Sequence, residues 1–183
     1  MKTKLSAKFW FVLTLFSLVG QIAWVVENMY LNVFIYKMFH ASAADISAMV
    51  SASAVAATLT TVLIGALSDK IGKRKLFMCG GYLVWGVSIL SFALLKEDLI
   101  ASAFPMAASA ASVGVSLVIL LDCVMTFFGS TANDAAFNAY VTDETTEENR
   151  GRVESVLATL PLLSMLIIFG LFDGKESFGK RMH

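Results

Sequence analysis

The chain has 183 residues, 57 % of them hydrophobic and 15 % charged, with fourteen basic residues balancing fourteen acidic ones and a mean hydropathy of +0.74. That composition lies outside the range of soluble domains, and no basic stretch interleaved with aromatics points to nucleic acid. Cys79 and Cys123 stand alone without a CxxC or a nearby His, which argues against metal or redox chemistry, and no cofactor-binding motif is present.

The charges fall in short clusters between apolar runs. Residues 9–36 form the first run, interrupted only by Glu27. Lys2, Lys4 and Lys8 precede it in the manner of a signal peptide, but no small-x-small cleavage site follows and the run outlasts an h-region, so it reads as an uncleaved membrane helix. Residues 46–68 and 76–95 carry no charge at all. The fourth run, about 112–141, holds Asp122 and Asp134, and the fifth, 153–172, holds Glu154 near its start. At ~1.5 Å per residue each run is long enough to cross a ~30 Å hydrocarbon core as a helix. None shows the alternation of a barrel strand. The expectation is an all-α membrane protein with five transmembrane helices over residues 1–172 and a tail, 173–183, that stops without a sixth.

Orientation follows from the bases. With the N-terminus inside, Lys2, Lys4, Lys8, Lys70, Lys73, Arg74, Lys75, Arg150 and Arg152 are cytoplasmic, and Lys37, Lys96, Lys175, Lys180 and Arg181 are outside. Nine against five favours a cytoplasmic N-terminus, in the cell membrane.

Two turns then lie on the cytoplasmic side. In GALSDKIGKRK (65–75) five of the seven positions from Asp69 to Lys75 are charged. Any basic cluster would anchor the loop, but Asp69 sits at the C-terminal end of a helix, where the dipole disfavours an acid by ~0.3–1 kcal/mol. A nearby cation or helix N-terminus should therefore hold it. Gly65 and Gly72 suit close helix approach and a tight turn. In TDETTEENRGRVES (142–155), Thr145 and Glu148 have capping-box spacing, which starts the fifth helix near Thr146.

Polar groups inside the runs supply the remaining signal, because a charge at mid-bilayer costs roughly 2.5–3.5 kcal/mol and usually faces a cavity or a partner. In the first run Gln21, Asn28 and Asn32 are seven and four apart and fall on one stripe at 100° per residue, with Glu27 just aside. In the fourth, Asp122 and Asn133 share a face, and Asp134 and Asn138 are i, i+4 neighbours. Carboxylates and amides converging from two helices suit a polyhydroxylated substrate. For Asp134 a helix-packing role stays open, and for Asp122 a structural one. Trp10, Trp24 and Trp85 read as interface or packing residues.

The spacing Gly65-x-Leu67-Ser68-Asp69-Lys70-x-Gly72-Lys73-Arg74 resembles the helix 2–3 loop signature of the major facilitator superfamily. That resemblance implies a cytoplasmic gate latch in which Asp69 and Arg74 are the leading members, with Gly65, Gly72 and Lys73 around them. Asp143, Thr145 and Arg150, with NDAAFNAYV upstream, are similar to the glycoside–pentoside–hexuronide:cation symporters, the melibiose-permease group, and add Asp143 and Arg150 to the gate. In that group an acid on helix 4 helps bind sugar, a position matched by Asp134. The second run has none of the group's cation-holding acids, which leaves Glu27 and Asp122 as candidates for a coupling H+ or Na+.

The resemblance implies a secondary active transporter, taking up a sugar or glycoside with a cation by alternating access. Asp134, Asn138, Asn28, Asn32 and Gln21 would line its substrate site. It also implies two six-helix halves, so the chain reads as a fragment, an incomplete N-terminal half whose partners are the bilayer, the substrate and the missing C-terminal half. The alternative is a non-transporting membrane module that binds a partner helix bundle. No nucleophile–base or metal-ligand set suggests an enzyme.

Overall fold

The computed structural model describes the backbone of residues 5–106 and 109–179, and the side chains of those residues up to Leu171. Lys2, Lys4, Lys180 and Arg181, four of the bases counted for orientation, lie outside it. The described residues form helices and connecting turns, with no strand. We number the helices α1 (Ala7–Phe39), α2 (Ala43–Ile71), α3 (Arg74–Leu94), α4 (Glu97–Ala103), α5 (Ala110–Glu144) and α6 (Glu147–Gly179). Five of them, all but α4, are long and apolar enough to cross a membrane.

The helices begin and end at caps, not at the edges of the apolar runs. Ser6 accepts from Phe9 N at 3.1 Å to start α1. Ser42 and Asp45 form a reciprocal capping box that starts α2 ahead of its apolar run, with Asp45 Oδ2 accepting from Ser42 N at 2.8 Å. Ser109 accepts from Ser112 N at 3.3 Å to start α5. The cap of α6 falls one residue later than the Thr145–Glu148 spacing suggests. Asn149 Oδ1 accepts from Thr146 N at 2.9 Å, while the Thr145 hydroxyl turns back to donate to Val141 O at 2.8 Å. The backbone of α6 continues to Gly179, past the end of its apolar run at 172. Helix α4 carries too few residues to register as an apolar run.

Two of the long helices contain π turns, over Glu27–Leu31 in α1 and Ser130–Phe137 in α5. Single π turns inside α-helices are frequent at functional sites.

The chain divides into two compact units, residues 1–30 with 141–183, and residues 31–140. In the first, the N-terminal part of α1 (Ala7–Val26) packs along α6. Phe9, Leu13, Ser17 and Gly20 are buried at spacings of four, four and three, and Val153, Leu160, Ser164 and Ile168 of α6 are buried at seven, four and four. Small residues in both sets let two helices approach closely, which matters where both faces are apolar and water provides no drive to associate.

The second unit packs the C-terminal part of α1 (Asn32–Phe39) with α2, α3, α4 and α5. Ile35, Phe39, Met49, Ile100, Val115 and Val118 form one core cluster. Phe34 stands edge-on to Phe39 and Phe92, at centroid distances of 6.1 and 6.3 Å. Trp85 of α3 is 2 % exposed and belongs to the packed interior, as expected of a packing tryptophan.

Candidate functional site

The second unit gathers most of the chemistry, starting with the turn between α2 and α3. Gly72 adopts φ +70°, a left-handed conformation open to glycine at little cost. Its N–H donates to Ser68 O at 2.9 Å and closes α2. The chain then reverses into α3, which brings Arg74 back over the end of α2. The guanidinium of Arg74 pairs with the Asp69 carboxylate and donates from the same nitrogen to Ser68 Oγ at 2.9 Å. Ser68 is fully buried and its hydroxyl donates to Gly65 O at 3.0 Å. The cation expected beside Asp69 is therefore Arg74. Its side chain is 18 % exposed and that of Asp69 64 %, so the pair sits at the edge of the packed region. Lys73 is exposed.

Gly65 departs from expectation. Among the described residues, a Cβ built there meets nothing within 4 Å. A close approach to another helix's backbone is found at Gly81 of α3, where an added Cβ would lie 2.8 Å from Ala132 Cβ and 3.2 Å from both Cα and N of the same residue.

That contact positions a polar network on the π turn of α5. Next to Gly81, Tyr82 donates from its hydroxyl to Asn133 Oδ1 at 3.1 Å. Asn133 Nδ2 donates in turn to Asp134 Oδ1 at 3.1 Å. Tyr82 leans on Trp85 with ring centroids 5.7 Å apart. Asn133 is buried and Asp134 half-buried. Asn138, the other candidate on this helix, is exposed and spends its amide on the Asp134 carbonyl at 2.9 Å. The network thus joins Asp134 to two residues, Tyr82 and Asn133, that were not among the candidate substrate ligands. The adjacent glycines at 80 and 81 are the sequence signal for Tyr82, since a glycine inside an apolar helix often marks a close contact.

A second polar contact lies nearer the start of α5. Asp122 is 2 % exposed and accepts a hydrogen bond through Oδ2 from Ser53 Oγ of α2. Its Oδ1 is buried without a hydrogen-bond partner.

In the first unit, Asn28 donates to Trp24 O at 2.8 Å, so part of its amide serves its own helix. Gln21 and Glu27 are half-buried there, as is Asn32 in the other unit. The stripe joining Gln21, Asn28 and Asn32 assumed a constant 100° step, and the π turn from Glu27 to Leu31 breaks that step between the last two. Arg150 donates to Thr142 Oγ1 at 3.3 Å and pairs with Glu154 Oε1 at 3.5 Å, while Asp143 is exposed. Asn149, buried beside them with its Nδ2 unpaired, is a further polar position that the loop motif did not single out.

A family model described as Major Facilitator Superfamily matches residues 9–172, which takes in all five long helices. No curated protein and no solved structure matches the chain.

Proposed function

Because the chain belongs to the major facilitator superfamily, a family of membrane transporters, we propose that it forms part of a secondary active transporter for a sugar or glycoside, coupled to a cation and working by alternating access. The observation that carries the substrate class is the Tyr82–Asn133–Asp134 network, set on a π turn of a long membrane helix. A desolvated sugar needs donors and acceptors in one place, and a phenol, an amide and a carboxylate supply both. Asp134 takes the central acceptor role, Asn133 orients it, and Tyr82 fixes Asn133.

The turn between α2 and α3 is the proposed gate. Asp69 and Arg74 hold the end of α2 to the start of α3 through Ser68, and Lys73 remains free to meet an acid on a neighbouring segment. Asp143 and Arg150 are proposed to act in the same way beside α6. We place the protein in the cell membrane with its N-terminus and both turns cytoplasmic.

Cells expressing the complete gene, supplied in turn with a panel of radiolabelled sugars and glycosides, test the reading. Accumulation of at least one of them, collapsed by an uncoupler or by removal of sodium, supports it. A protein that reaches the membrane and accumulates none of the panel refutes the substrate class.

A second reading has its own observation. Only 6 % of the apolar window of α2 is buried, against 22–33 % in the other four membrane helices. Ala48, Ala52 and Ala56 give α2 a small-residue row suited to another helix. In the transporter reading that helix belongs to a second six-helix bundle. In the alternative it belongs to a separate protein, and the chain binds it without transporting anything. A stable complex with an unrelated membrane protein, together with no uptake, would favour the alternative.

A further inference from the structure

We infer that Asp122 is a membrane-embedded proton-binding site, a neutral carboxyl in this conformation because it is buried beside the hydroxyl of Ser53 with no counter-charge. Depth comes first. Asp122 is twelve residues from the start of α5 and Ser53 ten from the start of α2, which puts them about 18 and 15 Å along their helices. Both fall inside the apolar runs 46–68 and 112–141, about two turns or more from either end.

The surroundings then decide the charge state. Asp122 is 2 % exposed, one oxygen meets Ser53 alone, and the other meets no donor. Four helical segments pack against α5 in this unit, and none offers a cation at that depth. On α2 the ionisable groups are Asp45, Asp69 and Lys70, all near its ends. On α3 they are Arg74 and Lys75 in the first turn, then Cys79 and Tyr82. Helix α4 contributes Glu97 and Asp98, both acids, and the C-terminal part of α1 contributes Tyr36 and Lys37 near its end. On α5 itself the neighbours are Cys123 and, three turns on, Asp134. Among the described residues none forms an ion pair with Asp122.

A carboxylate with one donor and no counter-charge carries the full cost of a buried ion, and the protonated form does not. Binding and release move one proton and no electrons: the carboxyl gives a carboxylate and passes its proton to water that reaches the site. A metal ion fits less well. A hard cation collects several oxygen ligands, whereas a single carboxyl and one hydroxyl converge here. If the transporter reading holds, this is the site of the coupling ion, and that ion is H+. Proton occupancy itself does not depend on transport and can be read in the isolated chain.

Infrared spectroscopy of the purified 183-residue chain in lipid nanodiscs tests it at neutral pH. The expected spectrum contains a protonated-carboxyl C=O band that Asp122→Asn abolishes and Asp134→Asn leaves in place. Ser53→Ala moves that band to higher frequency, because the hydrogen bond to it is lost. Absence of any band lost in Asp122→Asn overturns the proposal. Should Asp122→Asn fail to fold, the Ser53→Ala shift decides alone, and an unmoved band overturns it. Exchange of potassium for sodium should leave the band unchanged. Its disappearance in sodium would assign the carboxylate to a metal ion and also overturn the proposal.

Discussion

Adjacent glycines in α3 should respond to alanine in opposite directions. A Cβ at Gly80 meets nothing within 4 Å, whereas one at Gly81 lies 2.8 Å from Ala132 Cβ and 3.2 Å from its backbone nitrogen. The second contact is with the backbone of another helix, which cannot swing aside as a long side chain can. Replacing a mid-helix glycine by alanine gains roughly 0.5–1 kcal/mol from chain entropy, in both variants. Overpacking a close contact costs roughly 1–3 kcal/mol, in Gly81→Ala alone. Gly80→Ala should therefore be neutral or stabilising, and Gly81→Ala less stable than it by about 1–3 kcal/mol. Thermal unfolding of the purified chain in detergent, followed by tryptophan fluorescence, measures the difference, and buried Trp85 lies one turn from the altered residue. Gly81→Ala should also disturb sugar binding, since the same contact sets Tyr82 against Asn133. A Gly81→Ala protein as stable as Gly80→Ala would mean that α3 and α5 do not approach as closely as described, and the polar network would lose its structural basis.

Three other outcomes follow from the turns and the network. Asp69→Asn removes the charge facing Arg74 at a half-exposed site, so stability should change by no more than about 1 kcal/mol while transport slows; unchanged transport would reduce the turn to a membrane anchor. Asp134→Ala leaves a sugar hydroxyl without its acceptor, a loss of about 1–3 kcal/mol, and should weaken binding roughly ten-fold or more in a titration of the complete transporter. Unchanged affinity with lower membrane yield would instead make Asp134 a packing residue. A cysteine placed at position 73 should resist a membrane-impermeant thiol reagent in intact cells and react in inverted vesicles, and labelling from outside would reverse the orientation.

Much of the fold was legible because a bilayer imposes a length and a hydropathy on any helix that crosses it. The same reasoning misjudged the ends. Asp45 and the loop before Glu147 look like boundaries by charge, yet Asp45 is half of a capping box and Asn149 caps α6 from inside. Caps depend on which backbone N–H groups need a partner, and hydropathy does not register that need. The Asp69–Arg74 pair was accessible for the converse reason. It spans five residues across a turn fixed by one glycine, so local sequence contains nearly all of the geometry.

The network of Tyr82, Asn133 and Asp134 depended on information at longer range. Tyr82 and Asn133 are 51 positions apart, and Ser53 and Asp122 are 69 apart. Nothing in a serine within an Ala/Ser/Thr-rich run distinguishes a carboxyl's partner from a packing residue. Helical periodicity also fails at the π turns, where the angular step changes and side chains beyond the turn point elsewhere than a 100° wheel places them. That failure falls on Asn28–Asn32 in α1 and on Asn133–Asp134 in α5, both within candidate polar sites. A π turn relaxes the regular packing of a helix where polar groups gather. A uniform wheel is therefore least reliable at such positions, and at Asn133–Asp134 the side-chain contacts across α3 and α5 define the site instead.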